Sequence, residues 1–279
     1  MSRLVLVTGG TGKTGRRLVS QLRERGVDCR VGTRAAVAGE GARRFDWADS
    51  ATWDSALEGV SAVYLVAPPI AGDPAPLMIE FIQRALERGT TRFVLLSSSL
   101  LPAGGPAMGT VHLWLQENAA EWAVLRPSWF MQNFSEGQHL AAIRDEDSIY
   151  SATEDGRVPF VSADDVAASA VAGLTREGSF NTDFVLTSDR AITYDEVAAR
   201  IGRAIGRTIS HRRLSTEALA ERHRVRGMGP IPAQTLAAMD AAIAAGAEDR
   251  VTDCVEYLAG RPPVTFDAFV KANMALWSA

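Results

Sequence analysis

Two rhythms of apolar and polar positions alternate over the first 130 or so residues. Leu4-Val5-Leu6-Val7 is a short unbroken apolar run, which predicts a buried strand, and spaced apolar positions from Arg16 to Leu22 begin a helix. Further runs at 27–33, 62–66, 92–96 and 123–125, with a shorter one at 43–46, predict five more strands. Helical spacing lies between them at 52–57, 76–88 and 107–121; in the second of these, Leu77, Phe81, Ala85 and Leu86 fall close to one face. Strands alternating with helices predict an α/β fold with a doubly wound parallel sheet. Ligands of such sheets bind beyond the strand C-termini at the switch point, so the loops after strands one, two, four, five and six are expected to share a rim.

From Ser135 the rhythm changes. A short strand is expected at 158–161, a helix at about 164–174 opened by Asp164 or Asp165, and a strand at 184–186. Thr193-x-x-Glu196 is a capping box for a helix running to Gly206. The stretch 222–232 holds Gly227, Gly229, Pro230 and Pro232 and reads as a mobile lid carrying Met228; helices at 235–245 and 265–277 follow. The expected division is a Rossmann core over 1–134 and a smaller, mostly helical substrate-binding part over 135–279, intertwined as one structural unit.

Composition narrows the classes of function. With 279 residues, 47% hydrophobic, 22% charged and a net charge of −4, the chain is ordinary globular protein with no basic field for nucleic acid or anionic lipid. No segment approaches the roughly 18 uninterrupted apolar residues of a membrane span. The amino end enters a strand directly, so no export signal is read and a cytoplasmic location is expected. Cys29 and Cys254 stand far apart and read as buried free thiols rather than a metal or redox pair, so no metal is expected.

The glycine-rich segment carries the chemistry. Thr8-Gly9-Gly10-Thr11-Gly12-Lys13-Thr14-Gly15 follows the first strand and opens the first helix, and Gly10-x-Gly12-x-x-Gly15 has dinucleotide-fingerprint spacing. Gly9, Thr11, Gly12, Lys13, Thr14 and Gly15 are expected to hold a diphosphate against bare backbone and the helix N-terminus. Gly12-Lys13-Thr14 imitates the end of an ATP-type phosphate loop, but that motif needs a glycine where Val7 stands. An NAD enzyme usually carries an acidic residue ~20 residues beyond the glycines. Thr33-Arg34 stands there instead, and a guanidinium beside Lys13 suits a 2′-phosphate, so the expected cofactor is NADP.

A short-chain dehydrogenase of ordinary type pairs a serine after strand five with Tyr-x-x-x-Lys on the next helix. Ser97, Ser98 and Ser99 are present, with Ser97 expected near the cofactor and Ser98 near the reacting centre, but no tyrosine or lysine lies between Ser99 and Arg126. Reducing an isolated ketone makes a basic alkoxide that needs an acid close by. A quinone or an iminium accepts hydride without one. His112 is the one titratable residue positioned to donate a proton or orient substrate, the alternative being a helix-surface or core histidine with a structural partner. Trp114, Trp129, Phe130, Met131 and Phe134, with Asn133, are candidates for a flat aromatic pocket or else for core.

Together these pieces resemble the NmrA-like group of atypical short-chain dehydrogenases. The matching motifs are Thr8 to Gly15, Ala62 to Pro69, Leu125-Arg126-Pro127-Ser128-Trp129-Phe130-Met131-Gln132-Asn133-Phe134 and Pro159-Phe160-Val161-Ser162-Ala163-Asp164-Asp165-Val166. Gly12-Lys13-Thr14, Arg44-Phe45-Asp46-Trp47 and Val63-Tyr64-Leu65-Val66 are most similar to the ergot-alkaloid-type reductases. The resemblance implies an NADPH-binding reductase with Asp46 and Trp47 near adenine and Ala67 and Pro68 near the ribose. Hence the expectation is hydride transfer to a flat conjugated molecule in specialised metabolism. Quinone or polyaromatic ketone comes first, in a role compatible with a partner oxygenase and a hydroxylation step; a cyclic iminium comes second. The alternative class is a non-catalytic NADP sensor. Monomer and homodimer both remain open.

Overall fold

The computed structural model describes residues 3–34, 41–68 and 72–278; Pro69 and most of the loop expected at 38–41 lie outside them. In chain order the first elements are β1 (Val5–Val7), α1 (Lys13–Glu24), β2 (Cys29–Thr33), β3 (Ala42–Arg44), α2 (Trp53–Leu57), β4 (Ala62–Leu65), α3 (Ala75–Glu87), β5 (Arg92–Leu96), α4 (Met108–Asn118) and β6 (Glu121–Pro127). Then come α5 (Leu140–Glu146), β7 (Ser148–Ser151), α6 (Ala163–Thr175), β8 (Thr182–Leu186), α7 (Tyr194–Ile205), β9 (Ser210–Arg213), α8 (Thr216–Val225), α9 (Pro230–Ala244), α10 (Cys254–Ala259) and α11 (Phe266–Asn273).

Seven strands form one parallel sheet in the order β3-β2-β1-β4-β5-β6-β8. The chain leaves β1 towards β2 on one side and meets β4 on the other, so the switch point lies between β1 and β4. Alternate residues of these strands face opposite ways. Leu6, Val63, Leu65, Phe93, Leu95 and Val124 pack with Trp53 of α2, Phe81 of α3 and Leu115 of α4 in one core. On the other face, Tyr64 reaches Thr14 of α1, and a Cβ on Gly173 of α6 would stand 3.0 Å from Val94 Cγ2. Helices on both faces make the sheet doubly wound, as expected.

By its contacts the chain divides into two units. The first comprises Met1–Pro127, Ala163–Leu186 and Cys254–Arg261; the second comprises Ser128–Ser162, Thr187–Asp253 and Pro262–Ala279. The expected single boundary at 134 therefore differs from the observed division. Residues of α6, β8 and α10 return to the first unit because β8 completes the sheet beside β6. Fully buried Arg92 of β5 ties the end of α6 to this sheet. It donates to Glu121 Oε2 at 2.6 Å and to the carbonyls of Arg176 and Gly178 at 2.8 and 2.6 Å.

The second unit is built on a two-stranded parallel pair, β7 and β9, with an aromatic core of Phe134, Phe160, Tyr194, Phe266 and Trp277. Both halves of the capping box are made at the start of α7: Glu196 N–H donates to Thr193 Oγ1, and Thr193 N–H to Glu196 Oε2. Gly206, at φ +68°, ends that helix in the left-handed conformation. Two expectations change. Residues 158–161 make only isolated bridges, Val158 with Ile192 and Val161 with Phe130. The expected lid at 222–232 is largely the last turn of α8 and the first turn of α9, with a short turn between; Pro230 and Pro232 fit the first helical turn, where missing N–H groups do no harm.

Candidate cofactor site

At the end of β1, Gly9 takes φ +65°, and its carbonyl accepts from Gly12 N–H at 2.9 Å. Close packing leaves no room for side chains here. A Cβ on Gly10 would lie 2.7 Å from Val31 Cγ1, and one on Gly15 would strike the Gly9 carbonyl and stand 2.7 Å from Gly10 Cα. Gly12 is the N-cap of α1, and no side chain caps it. The first N–H groups of α1 and its partial positive charge are thus left for an anion at the switch point.

Thr8 and Tyr64 hold this turn in place. Thr8 donates to the Tyr64 carbonyl through its N–H at 3.1 Å and its hydroxyl at 2.8 Å, and Thr8 Oγ1 accepts from Val66 N–H at 2.9 Å. The Tyr64 hydroxyl donates to Thr14 Oγ1 at 3.2 Å, and complete burial raises the phenol's pKa well above its ordinary value. Neither positioning role is legible locally, because the partners lie 50 or more residues apart.

The other expected cofactor residues follow the same edge of the sheet. Arg34 is exposed just past β2, Ala67 and Pro68 follow β4, and Ser97 follows β5. Ser97 N–H donates to the Leu125 carbonyl at 2.8 Å, while its buried hydroxyl has no partner among the described residues. An orphaned buried hydroxyl is uncommon in native proteins and is what a ligand-facing serine leaves when protein alone is counted. Arg126, which the motif reading did not single out, braces this loop: it donates to the carbonyls of Ser98 and Ser99 at 3.4 and 2.8 Å and pairs with Asp183 at 2.6 Å. Asp46 sits in a tight turn, accepting from Ala48 N–H at 3.0 Å. Trp47 departs from the expectation: its ring packs edge-on against Phe45 and Phe81 at 5.0 and 5.1 Å, within the core.

Substrate-side candidates divide between the two units. His112 is 3% exposed and tilts against Trp122 at 5.6 Å. Trp122 is the second residue of β6 and pairs with Phe93, whereas the rim begins at Leu96 and Leu125. Burial lowers the His112 pKa, with Asp183 opposing and Arg126 reinforcing the shift. The ring is thus enclosed, with Nδ1 lacking a partner among the described residues. Ser98 is half-buried in the braced loop, and Trp114 packs, half-buried, against the first unit's core.

In the second unit, Phe134 is fully buried among Phe160, Tyr194 and Phe266 and stacks on His139 at 5.0 Å, so it too is core rather than pocket wall. Trp129 belongs to the same core. Phe130 and Met228 are half-buried, and nearly buried Asn133 bonds through its backbone to Phe130 and His139. Asp164 and Asp165 are helix-opening carboxylates with arginine partners, Arg17 at 3.1 Å and Arg261 at 2.7 Å. Among the described residues no three His, Cys, Asp or Glu side chains form a metal-holding group, and no helix is long and apolar enough to cross a membrane.

Residues 9–177 match the family described as NAD(P)H-binding. Agroclavine dehydrogenase of Claviceps fusiformis is 42% identical over 284 residues, covering 98% of each chain. Festuclavine dehydrogenase of Aspergillus fumigatus is 37% identical over 289 residues, again covering 98% of each. Among solved structures, an NADPH-dependent quinone oxidoreductase of Escherichia coli in complex with NADPH superposes with a TM-score of 0.82 at 23% identity, over 96% of this chain and 99% of that one. The dinucleotide cradle, the doubly wound sheet and these matches together make the chain a member of the NAD(P)H-binding family, an oxidoreductase of the NmrA-like atypical short-chain dehydrogenase group.

Proposed function

We propose that the protein is an NADPH-dependent reductase of a flat, conjugated small molecule that takes up hydride without a dedicated proton donor. The observation that carries this reading is a combination: a side-chain-free glycine cradle stands at the switch point, and α4 contains neither tyrosine nor lysine. NADPH, when bound, supplies the hydride. Gly9 to Gly15 offer backbone N–H groups to the diphosphate, and Ser97 Oγ offers a hydroxyl to the bound molecule. Lys13 and Arg34 favour a 2′-phosphate over the bare ribose hydroxyl by charge-assisted bonding.

The acceptor class follows from the missing acid. A cyclic iminium becomes a neutral amine on receiving hydride, and a quinone becomes a stabilised phenolate that water can protonate. Neither demands a tyrosine. Likeness to agroclavine and festuclavine dehydrogenases over nearly the full length supports keeping an alkaloid-type acceptor, the cyclic iminium, beside the quinone. With no acid in the chemistry, positioning of the acceptor supplies most of the rate.

The test is stopped-flow mixing of NADPH-loaded protein with a panel of cyclic iminium salts and quinones. Accelerated loss of nicotinamide absorbance with at least one class is expected. Tight NADPH binding with no acceleration by any acceptor would overturn the reductase reading in favour of a dinucleotide sensor.

A further inference from the structure

A chain of hydrogen bonds lies within the second unit. His211 of β9, with a fully buried side chain, bonds through Nε2 to Ser151 Oγ at 2.7 Å and through Nδ1 to Asp195 Oδ1 at 3.2 Å. Ser151 Oγ also meets Thr153 Oγ1 at 2.7 Å and accepts from Thr153 N–H at 3.3 Å. Ser151 and Thr153 are wholly buried, whereas about half of the Asp195 side chain is exposed. Between them, Ala152 N–H donates to Asp240 of α9 at 3.0 Å.

Serine, histidine and aspartate in this order of contact also make nucleophilic triads. Two observations exclude that use. The Ser151 hydroxyl has no access to solvent, and the neighbouring Ala152 amide, which would have to stabilise an oxyanion, already serves the Asp240 carboxylate.

Donor and acceptor capacities fix the direction of the chain. A carboxylate only accepts, so Nδ1 carries a proton and donates to Asp195. With His211 neutral, Nε2 accepts from the Ser151 hydroxyl, and Ser151 Oγ accepts from Thr153. A proton added at Nε2 makes that nitrogen a donor. Ser151 must then turn its hydroxyl onto Thr153 Oγ1, and the Thr153 hydroxyl loses its acceptor where no water reaches it.

We propose that Ser151, His211 and Asp195 form an acid-sensitive latch: neutral His211 holds residues 151–153 in the shape that anchors α9 through Ala152, and protonated His211 reverses the chain and loosens that anchor. The surroundings bear on both states. Asp195 of α7 and Glu154, just after β7, favour the charged ring; Arg213 of β9 and burial disfavour it. Arg213 is itself held by Asp155 and Asp195, each at 2.6 Å. Tyr194 of α7 lies 5.7 Å from the His211 ring; burial keeps His139 neutral down to about pH 3, and burial raises Asp240, the partner of Ala152, to about 6.

The experiment is hydrogen exchange read by mass spectrometry on the full chain between about pH 7 and about pH 5, with nitrogen-15 NMR of the histidine rings. After correction for intrinsic rates, peptides covering 148–153 and 237–243 are expected to exchange at least about tenfold faster at the acid end. In His211→Gln, whose amide cannot titrate, the acid loosening of those peptides is expected to disappear, leaving only the change from Asp240, whose carboxyl burial raises to about 6 and which Asp240→Asn removes. Wild-type His211 is expected to be the Nδ1–H tautomer at neutral pH and to protonate with the same midpoint as the loosening. Acid loosening that persists unchanged in His211→Gln, or no loosening in wild type, would overturn the latch. Should the variant fail to fold, a His211 ring that stays neutral while the peptides loosen would overturn it equally.

Discussion

Tyr64 and Thr14 meet across the switch point, the phenol of β4 donating to the hydroxyl in the first turn of α1 at 3.2 Å. The same tyrosine accepts two bonds from Thr8 through its carbonyl. One residue thus aligns the end of β1, the glycine turn and the helix whose N-terminus faces the phosphates. Tyr64→Phe removes the phenol and leaves Thr14 Oγ1 buried without it. The expected loss is about 1 kcal/mol of stability, as for a single neutral hydrogen bond. NADPH affinity should weaken several-fold, because the helix start is less well held. Urea unfolding and a fluorescence titration measure the two effects; stability and affinity both unchanged would show that the bond does no positioning.

Arg34 should discriminate between the two dinucleotides. Arg34→Ala removes the cation beside a 2′-phosphate, and a charge-assisted bond contributes about 1.5–3 kcal/mol. NADPH affinity should therefore fall by roughly ten- to hundredfold, with NADH nearly unaffected. Calorimetric titration of both cofactors gives the answer, and an equal loss for both would remove the NADP preference.

His112 should be silent in turnover. Its ring is 3% exposed and lies against Trp122, with Nδ1 unpaired among the described residues. His112→Gln should leave kcat with a reducible acceptor within about twofold of wild type. Any cost should appear as stability, about 1–2 kcal/mol from altered packing. A hundredfold fall in kcat at unchanged stability would restore it as a proton donor.

The pH dependence of stability has two opposed parts. Burial depresses all four histidines, with His139 at about 3 against an ordinary 6.5. Below 6.5 the unfolded chain binds protons that the folded chain refuses, so stability falls as pH drops, for His139 down to about 3. Asp240 works the other way. Burial raises its carboxyl from 3.8 to about 6, so its contribution is complete below 3.8 and is lost as pH rises through about 6. Asp240→Asn keeps an acceptor for Ala152 N–H and removes the buried charge. At about pH 7 it should raise stability by on the order of 1–2 kcal/mol, and the gain should vanish towards about pH 4. Urea midpoints across this range decide it; a variant no more stable than wild type at neutral pH would contradict the raised carboxyl.

Local pattern carried a large part of this molecule. The run Val5 to Val7, the glycines after it and the apolar stripe containing Phe81 each act over distances shorter than one element. Their periodicity and spacing alone set strand, turn and helix, and the capping box at Thr193 and Glu196 formed as its four-residue motif requires. The dinucleotide cradle was legible for the same reason: Gly9, Gly10 and Gly15 touch one another within a single turn. Short β7 and β9 were not, because Ser148-Ile149-Tyr150-Ser151 and Ser210-His211-Arg212-Arg213 become strands only by pairing with each other. The stretch 222–232 was misread because glycine and proline mark a lid and a helix–turn–helix alike.

What the amino-acid order settled by itself was therefore whatever is decided within a few residues: the parallel strand–helix alternation, the phosphate-binding turn, and the absence of a tyrosine and lysine on α4. Tertiary structure decided which side chains are free to do chemistry. Burial put Phe134 and the Trp47 ring into cores, enclosed His112, left the Ser97 hydroxyl without a partner among the described residues, and joined Ser151, His211 and Asp195 from three separate segments. Exposure and hydrogen-bond partnership depend on residues far away along the chain, and only folding brings those neighbours into contact.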